Sequence, residues 1–219
     1  MTGLEILILS ASAFCTSALT AVVGAGGGTA LIAIMLQVLS PAAAIPVHGA
    51  VQLASNTTRV YLLWRHMHWP IILRFALLMP FGVWLGLAVF QGLPAEAIQI
   101  LIGCFVLSAL NMVVGVIAPI LGVLIIRRDL SKEAMVGTLG FFGFLGNLLK
   151  IAGFALIGFS FVEFGPLMAG MIPAAVIGTR VGRAVLSKMD ETYFLIAFRI
   201  VLVLLAAKLI LVDGLGVFG

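Results

Sequence analysis

The sequence predicts an all-α integral membrane protein. It has about seven transmembrane helices plus two half-length segments, arranged as an inverted-topology repeat. Three observations carry that prediction. First, the chain of 219 residues is 63% hydrophobic and only 9% charged, with a mean hydropathy of +1.29, whereas soluble domains carry roughly 25% charged residues. Second, its apolar runs fall into two length classes, one long enough to span a bilayer and one about half as long. Third, Lys and Arg collect in a few connections, as cytoplasmic loops require.

A span needs about 20 apolar residues to cross a core of about 30 Å. The predicted spans are 4–24, 42–64, 69–91, 95–116, 133–157, 163–186 and 190–212. The first starts "MTGLEILIL", with Glu5 and no Lys or Arg, so it reads as a membrane helix rather than a signal peptide. Between spans one and two, "VVGAGGGTALIAIMLQVLS" at 22–40 puts Gly24, Gly26, Gly27 and Gly28 into five positions. Each glycine disfavours a continuous helix by about 1 kcal/mol relative to alanine. The reading is a helix that ends, turns and restarts as a half-helix, with its N-terminal amides directed inward. Close packing by small residues is the alternative. The two short apolar pieces, 28–39 and 117–126, each reach about half way across and read as re-entrant half-helices.

The charges give an orientation. Arg65 and Arg74, then Arg127, Arg128 and Lys132, then Arg180, Arg183 and Lys188 mark three basic connections. Seven spans with a cytoplasmic N-terminus put all three on the cytoplasmic side. Trp64, His66, His68 and Trp69 read as an interfacial belt that anchors one of them. Cys15 and Cys104 lie in apolar runs and read as buried thiols. No cofactor, metal or nucleic-acid motif occurs, and none of these is expected.

A shift of 91 residues overlays the chain on itself. "FCTSALTAVVG" at 14–24 meets "FVLSALNMVVG" at 105–115, Gly49 meets Gly140, and "NTTR" at 56–59 meets "NLLK" at 147–150. The single polytopic domain therefore divides into repeat 1 (about 4–91), repeat 2 (about 95–187) and an extra C-terminal span. With three full spans per unit, the second copy enters from the opposite side. That pattern is a hallmark of secondary transporters, whose sites form at discontinuous helices near the midplane.

The chain resembles the TauE/SafE sulfite exporter family, also called the toluene sulfonate uptake permease family. The likeness rests on "GAGGG" at 24–28, "QLASNTTR" at 52–59, "GNLLKIAGF" at 146–154 and a P-x-x-V-x-x-G ending in each half. Where members often repeat the glycine signature, this chain has "GVIAPILG" at 115–122. The resemblance implies a permease in a bacterial cytoplasmic membrane that moves sulfite, a sulfonate or another small organic anion. Such a permease works with the bilayer, a small anionic substrate and a coupling ion (proton or sodium), and a homo-oligomer is compatible with it.

The polar residues inside the spans supply the candidate site. Lys150 sits between "GFFGFLGNLL" and "IAGFALIGF" with no acidic neighbour in sequence, although a central Lys costs about 2.5–3.5 kcal/mol to insert. Asn56 and Asn147 each precede a cation by three residues, Arg59 and Lys150 respectively, which shares a helix face. Gln52, Ser55, Asn56 and Arg59 form one stripe, with Thr57 beside it. Snorkelling is the alternative role for Arg59, and helix–helix hydrogen bonding the alternative for the asparagines. The set is cationic and rich in donors, which suits an anion held against Gly26, Gly27 and Gly28. His48 reads as an interfacial histidine near the outer end of span two, with proton coupling as its alternative role. No Ser–His or paired-aspartate constellation appears, so an enzyme is not expected. An anion channel or a membrane-embedded enzyme remains the competing class.

Overall fold

The computed structural model describes residues 1–74, 76–77, 130–156 and 158–208. Among them are the α-helices α1 (Gly3–Val23), α2 (Gly27–Met35), α3 (Pro41–Leu63), α4 (Lys132–Leu156), α5 (Gly165–Lys188) and α6 (Glu191–Lys208), and residues 69–74 and 76–77 are helical too, where the span expected at 69–91 begins. Short 3-10 turns, Trp64–His66 and Phe161–Phe164, follow α3 and precede α5. Four of the predicted spans match α1, α3, α4 and α5 to within two residues, and the span expected at 190–212 starts as α6. The expected segments 95–116 and 117–126, span 69–91 beyond residue 77, and Cys104 lie outside the described residues.

Each boundary has a local cause. Thr2 and Glu5 cap α1 reciprocally: Thr2 N–H donates to the Glu5 carboxylate at 2.8 Å, and Glu5 N–H donates to Thr2 Oγ1 at 3.3 Å. That is the role of the one acidic residue at the start of the chain. Gly24, at φ 88°, ends α1 in the left-handed conformation that glycine adopts without strain. Three helical stretches among the described residues are long and apolar enough to cross a membrane: Gly3–Val23, Lys132–Leu156 and Phe161–Lys188. Leu4, Leu7 and Ile8 of α1 are exposed, as a lipid-facing surface requires. Cys15 is exposed on the same helix, which corrects its expected burial.

Glycines set the helix packing. A Cβ on Gly178 would overlap the carbonyl of Phe14, and one on Gly182 the carbonyl of Ala18. The contact advances four residues on both helices, so α1 and α5 run parallel at close range. Gly137 meets Leu63, Gly140 meets Arg59, Gly143 meets Asn56, and Gly49 meets Lys150. Along that contact α4 advances while α3 recedes, so these two run antiparallel.

Two buried apolar clusters mark opposite ends of the bundle. One holds Val23, Ala25, Leu63, Met135, Leu186, Phe194 and Phe198. The other holds Leu9, Ala13, Leu31, Met35, Ala44, Val47, Leu167 and Met171. Helices α1, α3 and α5 therefore all run from the second cluster to the first. This corrects the expected topology, in which α1 and α3 crossed in opposite senses and 28–39 was re-entrant. Helix α2 starts beside Thr16 and Thr20 of α1, already inside the end of that helix. Its nine residues span about 13 Å, enough to bring the chain back to the level of Leu9.

The basic residues gather at the end where α1 finishes. Arg65 and His66 follow α3, Lys188 closes α5, and Lys132 at the start of α4 donates from Nζ to the carbonyl of Met189. Thr138 Oγ1 accepts from His68 N–H at 3.1 Å, and the Trp64 and Trp69 rings lie 4.5 Å apart there. The segment before α1 is at the opposite end, whereas the charge pattern had put it on the basic side.

Candidate functional site

The helix break expected from the glycine run is present and spans residues 24–26, with Gly27 and Gly28 opening α2. Gly24 N–H donates to Thr20 O at 2.8 Å, and Gly26 at φ 92° starts α2 without a side-chain cap. A Cβ on Gly27 would overlap Thr16 O and Thr20 Oγ1. At residue 28 the missing Cβ leaves room for something else: the amide of Gln52 lies 3.6 Å from where that atom would stand. The start of α2 is thus packed against the last third of α1 and the middle of α3.

Helix α3 supplies most of the polar groups, and they turn in three directions. His48 and Gln52 face α2, where His48 Nε2 donates to Gly28 O at 2.9 Å. Ser55 and Thr179 share a 2.8 Å hydrogen bond that joins α3 to α5. Asn56 and Arg59 face α4 and the end of α1. Arg59 Nη1 donates to Thr20 O at 3.3 Å and Gly24 O at 3.5 Å, and its Nη2 donates to Asn56 Oδ1. Arg59 is only 3% exposed, so it does not snorkel. It holds the carbonyl end of α1, where a helix dipole favours a cation. Thr57 is exposed and donates to Leu53 O at 2.7 Å within its own helix, apart from the others.

Of the two second-half residues, Lys150 meets α3, whereas the Asn147 side chain bonds within α4. The stem of Lys150 packs on Gly49, its Cδ 3.2 Å from the position of a Cβ there. Asn147 donates to Gly143 O at 2.7 Å. Among the described residues Lys150 has no hydrogen bond or acidic partner. The only ion pair there is Lys132–Glu133, at 3.8 Å, at the other end of α4 from the site. His48 is 4% exposed, which corrects its reading as an interfacial residue.

Two buried polar atoms at the start of α2 lack a partner among the described residues, Gln52 Nε2 and Thr29 Oγ1, as do Ser10 Oγ and Ser17 Oγ on α1 and Arg59 Nε on α3. Sequence reasoning missed Thr29 and Ser17. The available signal for Thr29 was a hydroxyl in the first turn after a glycine break. The buried polar set among the described residues contains no Asp or Glu, and no group of residues there could hold a metal ion. An open cleft lined by Tyr61, Leu62, Trp64, Arg65 and His66 lies at the basic end, away from this chemistry. Unsatisfied buried donors, helix N-terminal amides and an unpaired ammonium make a setting that favours an anion.

Apolar helices packed round one polar helix, with a broken helix ending against it, define a multi-pass integral membrane protein. The chain matches the family described as "Sulfite exporter TauE/SafE" over residues 9–119 and 108–209, and it belongs to that family. Membership implies a membrane transporter of sulfur anions. No curated protein and no solved structure matches the chain.

Proposed function

We propose that the protein is a secondary transporter that moves sulfite, a sulfonate or a similar small sulfur oxyanion across a bacterial cytoplasmic membrane by alternating access. One observation carries the reading: the uncapped N-terminus of α2 is packed inside the bundle against the middle of α3, with the unpartnered Gln52 amide over it. The amides of Gly27, Gly28 and Thr29, the Gln52 amide and Thr29 hydroxyl, and the positive field of Lys150 hold the anion. Ser55, Asn56 and Arg59 act one step away by fixing α5 and the end of α1 against α3. The inverted repeat gains support from a reciprocal packing. Arg59 lies on Gly140 and Lys150 lies on Gly49, two pairs that the 91-residue shift exchanges.

The test is flux in proteoliposomes. Saturable uptake of sulfite with counterflow supports a transporter, whereas non-saturating flux without counterflow supports a channel. Lys150→Met should insert normally and bind sulfite about 10- to 150-fold more weakly, the scale of a hydrogen bond to a charged group. Lys150→Arg should fall between it and wild type. Unchanged affinity in Lys150→Met would remove Lys150 from the site.

A further inference from the structure

The proposed anion site contains one proton acceptor, and it is tied to the backbone on which the anion would rest. His48 is four residues, about one helical turn, before Gln52 on α3, and both face the start of α2. Because Gly28 O can only accept, His48 Nε2 carries the hydrogen of the 2.9 Å bond between them. The neutral ring then keeps a lone pair on Nδ1, for which the described residues offer no hydrogen-bond partner.

The charges around the ring are few. Helix α4 contributes Lys150, packed on the neighbouring Gly49. Helix α2 contributes no titratable group, and α1 and α5 contribute the hydroxyls of Thr16, Ser17, Thr20 and Thr179. Glu163, on the 3-10 turn packed near the start of α3, is exposed. Arg59, farther along α3, is committed to α1 and Asn56. No carboxylate among the described residues can balance a second positive charge beside Lys150.

Building on the transporter reading, we propose that His48 is the proton site of an anion–proton symporter. A proton taken from water onto Nδ1 and an oxyanion at the start of α2 bind with positive coupling, travel together and leave together on the other side. The coupling is reciprocal, so each strengthens binding of the other by the same factor. A dianion is the best-matched cargo, because Lys150, a protonated His48 and two negative charges sum to zero in a site that water does not screen.

The experiment uses labelled thiosulfate, which stays a dianion across the working range, so the ligand's own titration does not enter. In proteoliposomes at equal pH, wild type should exchange thiosulfate by counterflow. With about pH 6 outside and about pH 7.5 inside, wild type should accumulate thiosulfate until a protonophore is added. His48→Gln keeps an N–H donor for Gly28 O but cannot titrate. It should still exchange thiosulfate by counterflow, half-saturating at a higher concentration because no bound proton strengthens the anion, and lose the gradient-driven accumulation. Gradient-driven accumulation in His48→Gln, or a wild type that exchanges but ignores the gradient, overturns the proposal. Wild type with no thiosulfate or sulfite exchange overturns the transporter reading beneath it. If the variant does not fold, wild type in detergent decides: thiosulfate added in weak buffer near neutral pH should draw protons onto the protein, and no uptake refutes the coupling.

Discussion

Replacing Gln52 by Leu separates the stability of the fold from its use as a site. Gln52 is 4% exposed, and its Nε2 has no hydrogen-bond partner among the described residues. A buried donor left unpaired costs about 1–3 kcal/mol, and removing it in favour of an apolar group of similar size is neutral or stabilising. Leucine fits the space above Gly28, where the nearest atoms of the present amide stand 3.6 Å from the place a Cβ on that glycine would take. Gln52→Leu should therefore unfold at the same temperature as wild type or higher when no anion is added. A hydrogen bond to a charged ligand is worth about 1.5–3 kcal/mol, so sulfite affinity should fall about 10- to 150-fold. The assay is thermal unfolding in detergent over a sulfite titration, read for both proteins. Wild type should start lower or level and rise with anion; the variant should stay nearly flat. A variant that starts well below wild type yet shifts just as much with sulfite would show that Gln52 holds the fold together and contributes nothing to the anion.

Three further outcomes follow from the geometry. Gly27→Ala sets a Cβ against Thr16 O and Thr20 Oγ1 and should lose about 1–3 kcal/mol as the backbone shifts, while Gly28→Ala makes only ordinary contacts and should fold like wild type; equal unfolding temperatures for the two would contradict this packing. Arg59→Met strips the carbonyls of Thr20 and Gly24 of a buried donor and should cost about 2–4 kcal/mol, visible as a lower unfolding temperature than that of Lys150→Met. Tags placed before α1 should be reached by a membrane-impermeant probe from outside the cell, and reporters after Lys188 should read cytoplasmic; a cytoplasmic tag before α1 would reverse the assigned direction of that helix.

The spans were legible because each is a problem in length and composition. A run of about 20 apolar residues with a polar break at each end leaves little freedom, and α1, α3, α4 and α5 start and stop within two residues of where those runs do. The break at Gly24–Gly26 was legible for a related reason: a cluster of glycines where nothing else favours them marks a backbone that leaves the helix. Direction was not legible in the same way. Positive charge identifies the basic end, but it says nothing of how many times the chain crosses between two basic loops. That count depended on 28–39, and a half-length segment is ambiguous by its length alone. It is resolved only by where α2 starts, beside Thr16 and Thr20 rather than beyond the end of α1.

The site was legible in its membership and not in its division of labour. One stripe on α3 contains Gln52, Ser55, Asn56 and Arg59, and helical spacing treats the four alike. The neighbours do not. Ser55 meets a hydroxyl on α5, Arg59 meets the open carbonyls that the break at Gly24 creates, and only Gln52 meets the open amides that the same break creates two residues further on. A broken helix exposes both signs of its dipole at once, acceptors where it stops and donors where it restarts. The buried cation goes to the acceptors because they are part of the protein and always present. The donors are left beside a side-chain amide that makes no hydrogen bond to them and whose own Nε2 is unpartnered, and an anion from outside can take both. That asymmetry is why the more strongly charged residue of the stripe holds the structure, while the uncharged one, one helical turn from His48, lies where a ligand completes the site.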